Sequence, residues 1–162
     1  MSDTTLKSIN DMTFIQKVNF IQCNLNAPKN MYNSFGKYNY RNLEGIFEGL
    51  KPLSLVTGLV TTVSDEMVMI GDRIYVKATA TITDGDNSLS VTRYAREDAV
   101  KKGMDLSQLT GSCSSYAGKY ACNGLFLIDD TVDADGMDNS NSSKPQSKSK
   151  PNPTQTSSGD SW

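Results

Sequence analysis

Apolar and polar positions alternate with two different periods along the chain, and each period predicts its own kind of element. Apolar residues recur every three or four positions over 5–26, which predicts an amphipathic helix that Pro28 ends. The same spacing predicts a second helix over about 43–53, although two glycines weaken the pattern there. The polar, aromatic and basic segment between them contains Gly36 and is predicted to be a loop or a short extended piece.

The middle of the chain changes to a period of two, which is typical of strands. Residues 58–70 are rich in β-branched side chains, and residues 73–83 alternate strictly between apolar and polar positions. After the turn signal "DGDN", residues 88–96 return as a third strand. This pattern predicts an antiparallel meander with one buried face. The apolar face of the second strand is predicted to consist of Ile74, Val76, Ala78, Ala80 and Ile82.

A third helix is predicted over about 107–127, and the composition changes after it. Residues 131–162 are full of Ser, Asn, Asp and Pro, which predicts a disordered acidic tail. Residues 1–130 are predicted to form one α+β domain. Its expected architecture is an antiparallel three-stranded β-meander packed by a long C-terminal helix, with the other helices at the N-terminal end.

Composition narrows the classes of chemistry. The 162 residues fit one domain, contain no apolar run long enough to span a membrane, and show no visible secretion signal. The odd number of cysteines predicts a reducing compartment. In a helix over 107–127, Cys113 and Cys122 would lie on opposite faces and roughly 13 Å apart, too far for a disulfide. The chain has no histidine and no CxxC pair, which argues against common zinc sites and most general-base catalysis.

Charge is distributed unevenly. Residues 17–128 carry twelve Lys and Arg against ten Asp and Glu, whereas residues 129–162 carry three lysines against six aspartates. The predicted domain is therefore mildly basic and the tail acidic, which is compatible with a nucleic-acid partner. The tail could compete with DNA or dock a partner. Paired carboxylates at 129–130 and at Asp133 and Asp135 lie at the edge of this tail, so an electrostatic role is favoured over a nuclease metal site.

The segment 110–126, "TGSCSSYAGKYACNGLF", combines small residues with two tyrosines and a lysine. On a helical wheel its side chains divide into two faces. The face predicted to pack on the sheet holds Cys113, Ala117, Tyr120, Ala121, Gly124 and Ile128. The face predicted to offer hydroxyls, an amide, a ring and an ammonium to DNA holds Ser112, Ser115, Tyr116, Lys119 and Asn123. A polar surface helix is the alternative. The spacing does not fit a nucleotide-binding P-loop.

Two other segments interleave cations with aromatic rings, as single-strand-binding surfaces do. If Ile82 pairs with Leu89, the register sets Lys77 opposite Tyr94 and Tyr75 opposite Arg96; such pairs also stabilise sheets without any ligand. The segment "KYNYR" contributes Lys37, Tyr38, Tyr40 and Arg41, whose rings could instead anchor a loop to the core. The basic set is extended by Arg93, Lys101 and Lys102.

Three segments together resemble the phage Erf-type single-strand annealing proteins, the ERF superfamily. They are "APKNMYNSFGKYNYRNLEGIFEGLKPL", "GDRIYVKATATITDGD" and the region from "ARE" to "TGSCSSYAGKYACNGLFLIDDTVDAD". The resemblance covers about residues 20–135 and keeps the segments in the same order. Its most specific part is the "TGS…SYA.KYA.NGLF.IDD" pattern.

The resemblance implies a function without catalysis or cofactor. It implies binding of single-stranded DNA, assembly into rings or helical filaments, and annealing of complementary strands without ATP in the cytoplasm of a bacterial host. An exonuclease and a single-strand-binding protein are the implied phage partners, and the implied fold is similar to that of the eukaryotic annealing mediators. Where the family commonly has a basic residue, this chain has Gly118, which implies weaker DNA contact by the helix. The binding residues carried over are Lys37, Tyr38, Tyr40, Arg41, Tyr116, Lys119 and Tyr120.

Two alternatives remain open at the level of sequence. One is a module that binds and protects single-stranded DNA without annealing it. The other is an assembly protein with no nucleic-acid role.

Overall fold

A computed structural model describes residues 9–98 and 103–128 of the chain. The described part is α+β, as predicted, and its elements follow one another in the order α1, β1, β2, α2, β3, β4, β5, α3. The helices are α1 (Phe14–Asn24), α2 (Leu43–Thr57) and α3 (Leu106–Phe126). The strands are β1 (Met31–Asn33), β2 (Tyr38–Tyr40), β3 (Val60–Ile70), β4 (Arg73–Thr83) and β5 (Ser88–Glu97).

Helix α1 begins at Phe14; residues 9–10 are also helical, so the predicted helix over 5–26 is interrupted at 11–13. Thr13 is its N-cap: the Thr13 hydroxyl accepts the Gln16 amide, and the Gln16 side chain accepts the Thr13 amide in return. This reciprocal pair stops the helix from continuing towards the N-terminus, because Thr13 must be extended to make it. The Thr-x-x-Gln spacing was a readable signal that the apolar periodicity concealed. Residues 5–8 of that prediction lie outside the described range.

Helix α2 extends four residues beyond its predicted end. The Asn42 side chain accepts the Gly45 amide at 3.0 Å and caps the N-terminus. Gly58 ends the helix with φ of 71° and donates its amide to the Ser54 carbonyl. A glycine adopts this left-handed conformation without a Cβ penalty, so Gly58 is a helix terminator and not the start of the strand predicted at 58. The segment between α1 and α2, which was predicted to be a loop or a short extended piece, forms the short β1–β2 hairpin.

The meander is confirmed, with strand order β3-β4-β5 and antiparallel pairing throughout. Strand β4 has the predicted bounds. Ile82 lies opposite Leu89, and the predicted pairs of Lys77 with Tyr94 and of Tyr75 with Arg96 are present. One face of β4 is buried from Val76 to Ile82, but Ile74, which was predicted to belong to this buried face, is 44% exposed at the start of the strand. On the other face, side-chain hydroxyls form hydrogen bonds between neighbouring strands; the Thr79 and Thr92 hydroxyl oxygens, for example, are 3.0 Å apart.

Helix α3 packs across the buried face of the sheet, and small residues on both elements form the contact. Ala78 and Ala80 of β4 and Ala117 and Ala121 of α3 are all fully buried in one apolar core. Side chains this small let the helix lie close to the strands, as the wheel predicted. Helices α1 and α2 contribute buried side chains such as Ile21 and Ile46 to the same core. The Gln22 side chain of α1 also donates to the Leu125 carbonyl of α3 at 2.9 Å.

The three cysteines are free thiols. Cys113 and Cys122 are both buried, because α3 is covered by the sheet on one side and by α1 and α2 on another. Burial raises the pKa of Cys122 to about 12. Among the described residues, no helix is long and apolar enough to cross a membrane.

Candidate nucleic-acid interface

The local sequence sets where α3 begins and hence which of its side chains reach solvent. Asp105 caps the helix by accepting the Gln108 amide at 2.8 Å, and the Gln108 side chain accepts the Asp105 amide. The helix then runs without interruption for 21 residues. Its phase relative to the sheet is set by buried residues such as Ala117 and Ala121. The side chains at 116, 119 and 120 therefore project away from the core.

Tyr116, Lys119 and Tyr120 form one cluster on this exposed side. The two ring centroids lie 6.1 Å apart with the rings tilted by 40°. The Lys119 ammonium lies 5.0 Å from the centroid of each ring, within the range of cation–π attraction. Tyr116 is 46% exposed and Tyr120 41% exposed. The cluster thus offers two flat rings and one cation at the surface.

The prediction that Tyr120 faces the sheet is wrong. On the wheel Tyr120 lies at the border of the buried face, and the core takes Gly118 and Cys122 instead because α1 and α2 pack on that side of α3. Gly118 itself is buried: a Cβ there would approach the Leu43 side chain to 3.1 Å and Val63 to 3.4 Å. Position 118 is therefore a packing position, and its lack of a basic side chain removes nothing from the exposed surface of this helix.

Arg93 lies over Gly124, one helical turn beyond Tyr120, and on the opposite face of the sheet from Lys77 and Arg96, with which the sequence grouped it. Arg93 pairs with Ala78 of β4, and the Ala78 side chain is buried on the face of the sheet that α3 covers. The Arg93 guanidinium packs over Gly124, where an added Cβ would come within 2.9 Å of Nη2 and 3.0 Å of Val91. A larger residue at this position would push the guanidinium aside or press on Val91. The alternation of β5 predicts this placement, because Arg93 directly precedes Tyr94.

The cluster faces the β5 side of the molecule. Tyr116, Tyr120 and Gly124 are four residues apart and so form one row along α3. Gly124 ends this row under Arg93 of β5, and on the same side the Cys113 thiol lies 3.5 Å from the Arg96 carbonyl. We call Tyr116, Lys119, Tyr120 and Arg93 the α3 stripe. Near it, Ser112 is half-buried and Ser115 exposed.

The open face of the sheet forms a second, separate surface. It carries the Tyr75–Arg96 and Lys77–Tyr94 pairs. Carboxylates offset the positive charge here: the Lys77 ammonium lies 2.7 Å from Glu66, and Arg96 Nε lies 3.5 Å from Asp98. The hydrogen bond and the charge of Glu66 raise the pKa of Lys77.

The predicted residues of the "KYNYR" segment separate into two roles. Tyr38 and Tyr40 meet edge to face, with centroids 6.3 Å apart, and Lys37 occupies the turn of the β1–β2 hairpin with φ of 55°. Arg41 is buried and donates its Nε to the Ala27 carbonyl. Arg41 therefore anchors the base of the hairpin, whereas Lys37 is exposed.

Some predictions lie outside the described residues. These are Lys101 and Lys102, the carboxylates from Asp129 onwards and the predicted tail. Within the described ranges, no three His, Cys, Asp or Glu side chains are grouped to hold a metal ion.

Comparison with known proteins identifies relatives. The sequence model of a family described as the ERF superfamily matches residues 14–161. The chain is 62% identical over 122 residues to the "Essential recombination function protein" of Salmonella phage P22, a match that covers 75% of this chain. It spans 58% of the length of that relative. No solved structure matches the chain, so the likeness to the fold of the eukaryotic annealing mediators stays a prediction.

Proposed function

The chain belongs to the ERF superfamily, and from this premise we propose that it serves phage recombination by binding single-stranded DNA and annealing complementary strands without nucleotide hydrolysis. The α3 stripe is the observation that carries the proposal. Two exposed tyrosine rings with a shared ammonium, extended by the Arg93 guanidinium, combine base stacking with phosphate neutralisation on one side of the molecule.

The proposed path of the DNA follows the β5 side of the domain. Strand β5 is at the edge of its three-stranded sheet, with Arg93 on the helix-covered face and Arg96 on the open face. A single DNA strand that lies along this edge can contact the α3 stripe on one face of the sheet and the Tyr94 and Arg96 side chains on the other. The open face alone is a weaker candidate, because Glu66 and Asp98 offset its cations.

Annealing requires that the bound strand keep its base edges accessible. Rings that stack on base faces, together with cations that bind phosphates, leave the Watson–Crick edges free to pair. A second strand can therefore pair with the bound one, and the weaker protein–duplex contact lets the product leave. No chemical bond changes in this mechanism, so it needs no catalytic group.

We also propose that the working unit is an oligomer of this chain. Met67, Met69, Ile74 and Leu106 are exposed, and Met69 lies directly opposite Ile74 in the β3–β4 pair. An exposed apolar group of this kind marks a protein contact surface. Sedimentation of the chain and of Met69→Glu, with and without an oligonucleotide, tests the proposal; sedimentation of the unaltered chain as a monomer under both conditions would refute it.

Two measurements test the function itself. Fluorescence anisotropy with a labelled oligonucleotide should show tighter binding to single strands than to duplex, with affinity that falls as salt rises. Mixing two complementary dye-labelled strands should then give faster pairing in the presence of the chain. Binding without faster pairing would indicate a module that only protects DNA. If neither strand form binds, the chain has no nucleic-acid role and the proposal fails.

A further inference from the structure

The β1–β2 hairpin holds one aromatic side chain fully in solvent. Phe35 is 99% exposed at the tip of the turn. The Asn33 side-chain oxygen accepts the amides of Phe35 and Gly36, both at 3.0 Å, and its nitrogen donates to the Tyr38 hydroxyl at 3.2 Å. Gly36 lies against the Tyr38 ring, where a Cβ would overlap the ring atoms. These contacts fix the turn, so its conformation directs Phe35 outwards.

The charges around the hairpin indicate what could cover this ring. No Asp or Glu occurs between Asp11 and Glu44 in the sequence. The hairpin instead carries four aromatic rings, Tyr32, Phe35, Tyr38 and Tyr40, with the exposed Lys37 in its turn and Lys29 shortly before its first strand; Arg41 is buried at its base. A segment with this charge attracts a polyanion and disfavours a basic protein surface. An unpaired nucleic-acid strand supplies both a polyanion and flat apolar faces that could cover a phenyl ring.

We infer that Phe35 is a wedge that inserts between adjacent bases of the bound single strand, with Lys37 close to the neighbouring phosphates. The inference rests on the proposed function and adds a second point of contact, on a different element from the α3 stripe. Insertion separates two bases that would otherwise stack on each other and so extends the strand. Apolar side chains are used as wedges between bases in other DNA-binding proteins.

A tryptophan at position 35 tests the inference directly. The chain has a single tryptophan, Trp162, so Phe35→Trp in a Trp162→Phe background places the one tryptophan, which can be excited selectively over the tyrosines, at the hairpin tip. Stacking on bases should quench its emission when an oligothymidylate is added. The matched control is Leu55→Trp in the same background, because Leu55 is 85% exposed on α2, away from the hairpin. Its emission should not change.

Phe35→Ala gives the corresponding affinity. Because stacking on one ring stabilises a bound base appreciably, this change should weaken binding by about 5- to 150-fold. The salt dependence should stay unchanged, since no charge is removed. The circular dichroism spectrum should also stay unchanged, because the side chain lies in solvent. Leu55→Ala should bind like the unaltered chain.

The outcomes separate the two proposals. If the unaltered chain binds the oligonucleotide while Phe35→Ala binds equally well and the tryptophan at 35 is not quenched, the wedge is refuted and the proposed function stands. If the tryptophan emission shifts on raising the protein concentration without DNA, and Phe35→Ala reduces self-association only, the tip contacts a second copy and the wedge is again refuted. If the unaltered chain does not bind, both proposals fail.

Discussion

Replacing Lys119 with alanine tests the central electrostatic contact of the α3 stripe. The Lys119 ammonium lies 5.0 Å from two ring centroids that are themselves half exposed. At such a site the cation–π contribution is about 0.5–1 kcal/mol, and alanine recovers a few tenths through its higher helix propensity. The free energy of unfolding should therefore fall by less than about 1 kcal/mol, and Lys119→Ala should fold.

The effect on binding should be larger and should depend on salt. One phosphate contact with a single strand contributes about 0.7 to the slope of log affinity against log salt. If that contribution vanishes near 1 M salt, losing it weakens binding about fivefold at 0.1 M and about eightfold at 0.05 M. The slope itself should become shallower by about 0.7.

Fluorescence anisotropy with an oligothymidylate at several salt concentrations measures both quantities, and thermal melting by circular dichroism measures folding. Lys119→Arg should keep the slope. Lys51→Ala is the charge-matched control: Lys51 is exposed on α2 and pairs with Glu48 at 2.5 Å, so its loss should leave the slope unchanged. An unaltered slope in Lys119→Ala would show that this ammonium does not meet phosphate, and unfolding of the variant would show that its role is structural.

Three further experiments probe the framework beneath this surface. Burial raises the pKa of Cys122 to about 12, so above pH 9 this thiol ionises in the unfolded chain but stays protonated in the folded one. As the pH rises, the free energy of unfolding of the unaltered chain should therefore fall by about 1.4 kcal/mol per pH unit more than that of Cys122→Ala. Urea titrations up to pH 11 check this, and parallel curves would contradict it. Gly124→Val should destabilise the chain by about 1–3 kcal/mol in thermal melts, and adding Arg93→Ala should recover part of that loss. An unchanged melting temperature in Gly124→Val would show that Arg93 and Val91 do not pack closely on position 124. Thr13→Ala should cost about 0.5–2 kcal/mol in the same assay, and an unchanged melting curve would mean that the cap is not needed.

Much of the architecture was predictable because its signals are local. Strand β4 alternates strictly between apolar and polar residues and is followed by a tight turn, so its bounds follow from the sequence, and its register with β5 follows once Ile82 is paired with Leu89. The helices were predicted in kind, but their ends were not. Helix ends depend on single capping residues such as Thr13 and Gly58, which an apolar period does not register.

The candidate site was only partly predictable for the opposite reason. The sequence identified the tyrosines, Lys119 and Arg93, because cations interleaved with rings are visible as composition. It misassigned Tyr120 and left Gly118 unplaced, because a wheel with one buried face cannot represent a helix that packs against a sheet and against other helices.

The sequence by itself determines which residue types could contact a nucleic acid. It also determines the alternation that puts Arg93 and Tyr94 on opposite faces of β5. Tertiary structure decided that Arg93 lies over Gly124 beside the exposed rings of α3, and that Arg41 is buried at the base of a hairpin whose tip exposes Phe35. Periodicity describes each element about its own axis. Which side of an element reaches solvent depends on what packs against it, and that is known only once distant segments are brought together.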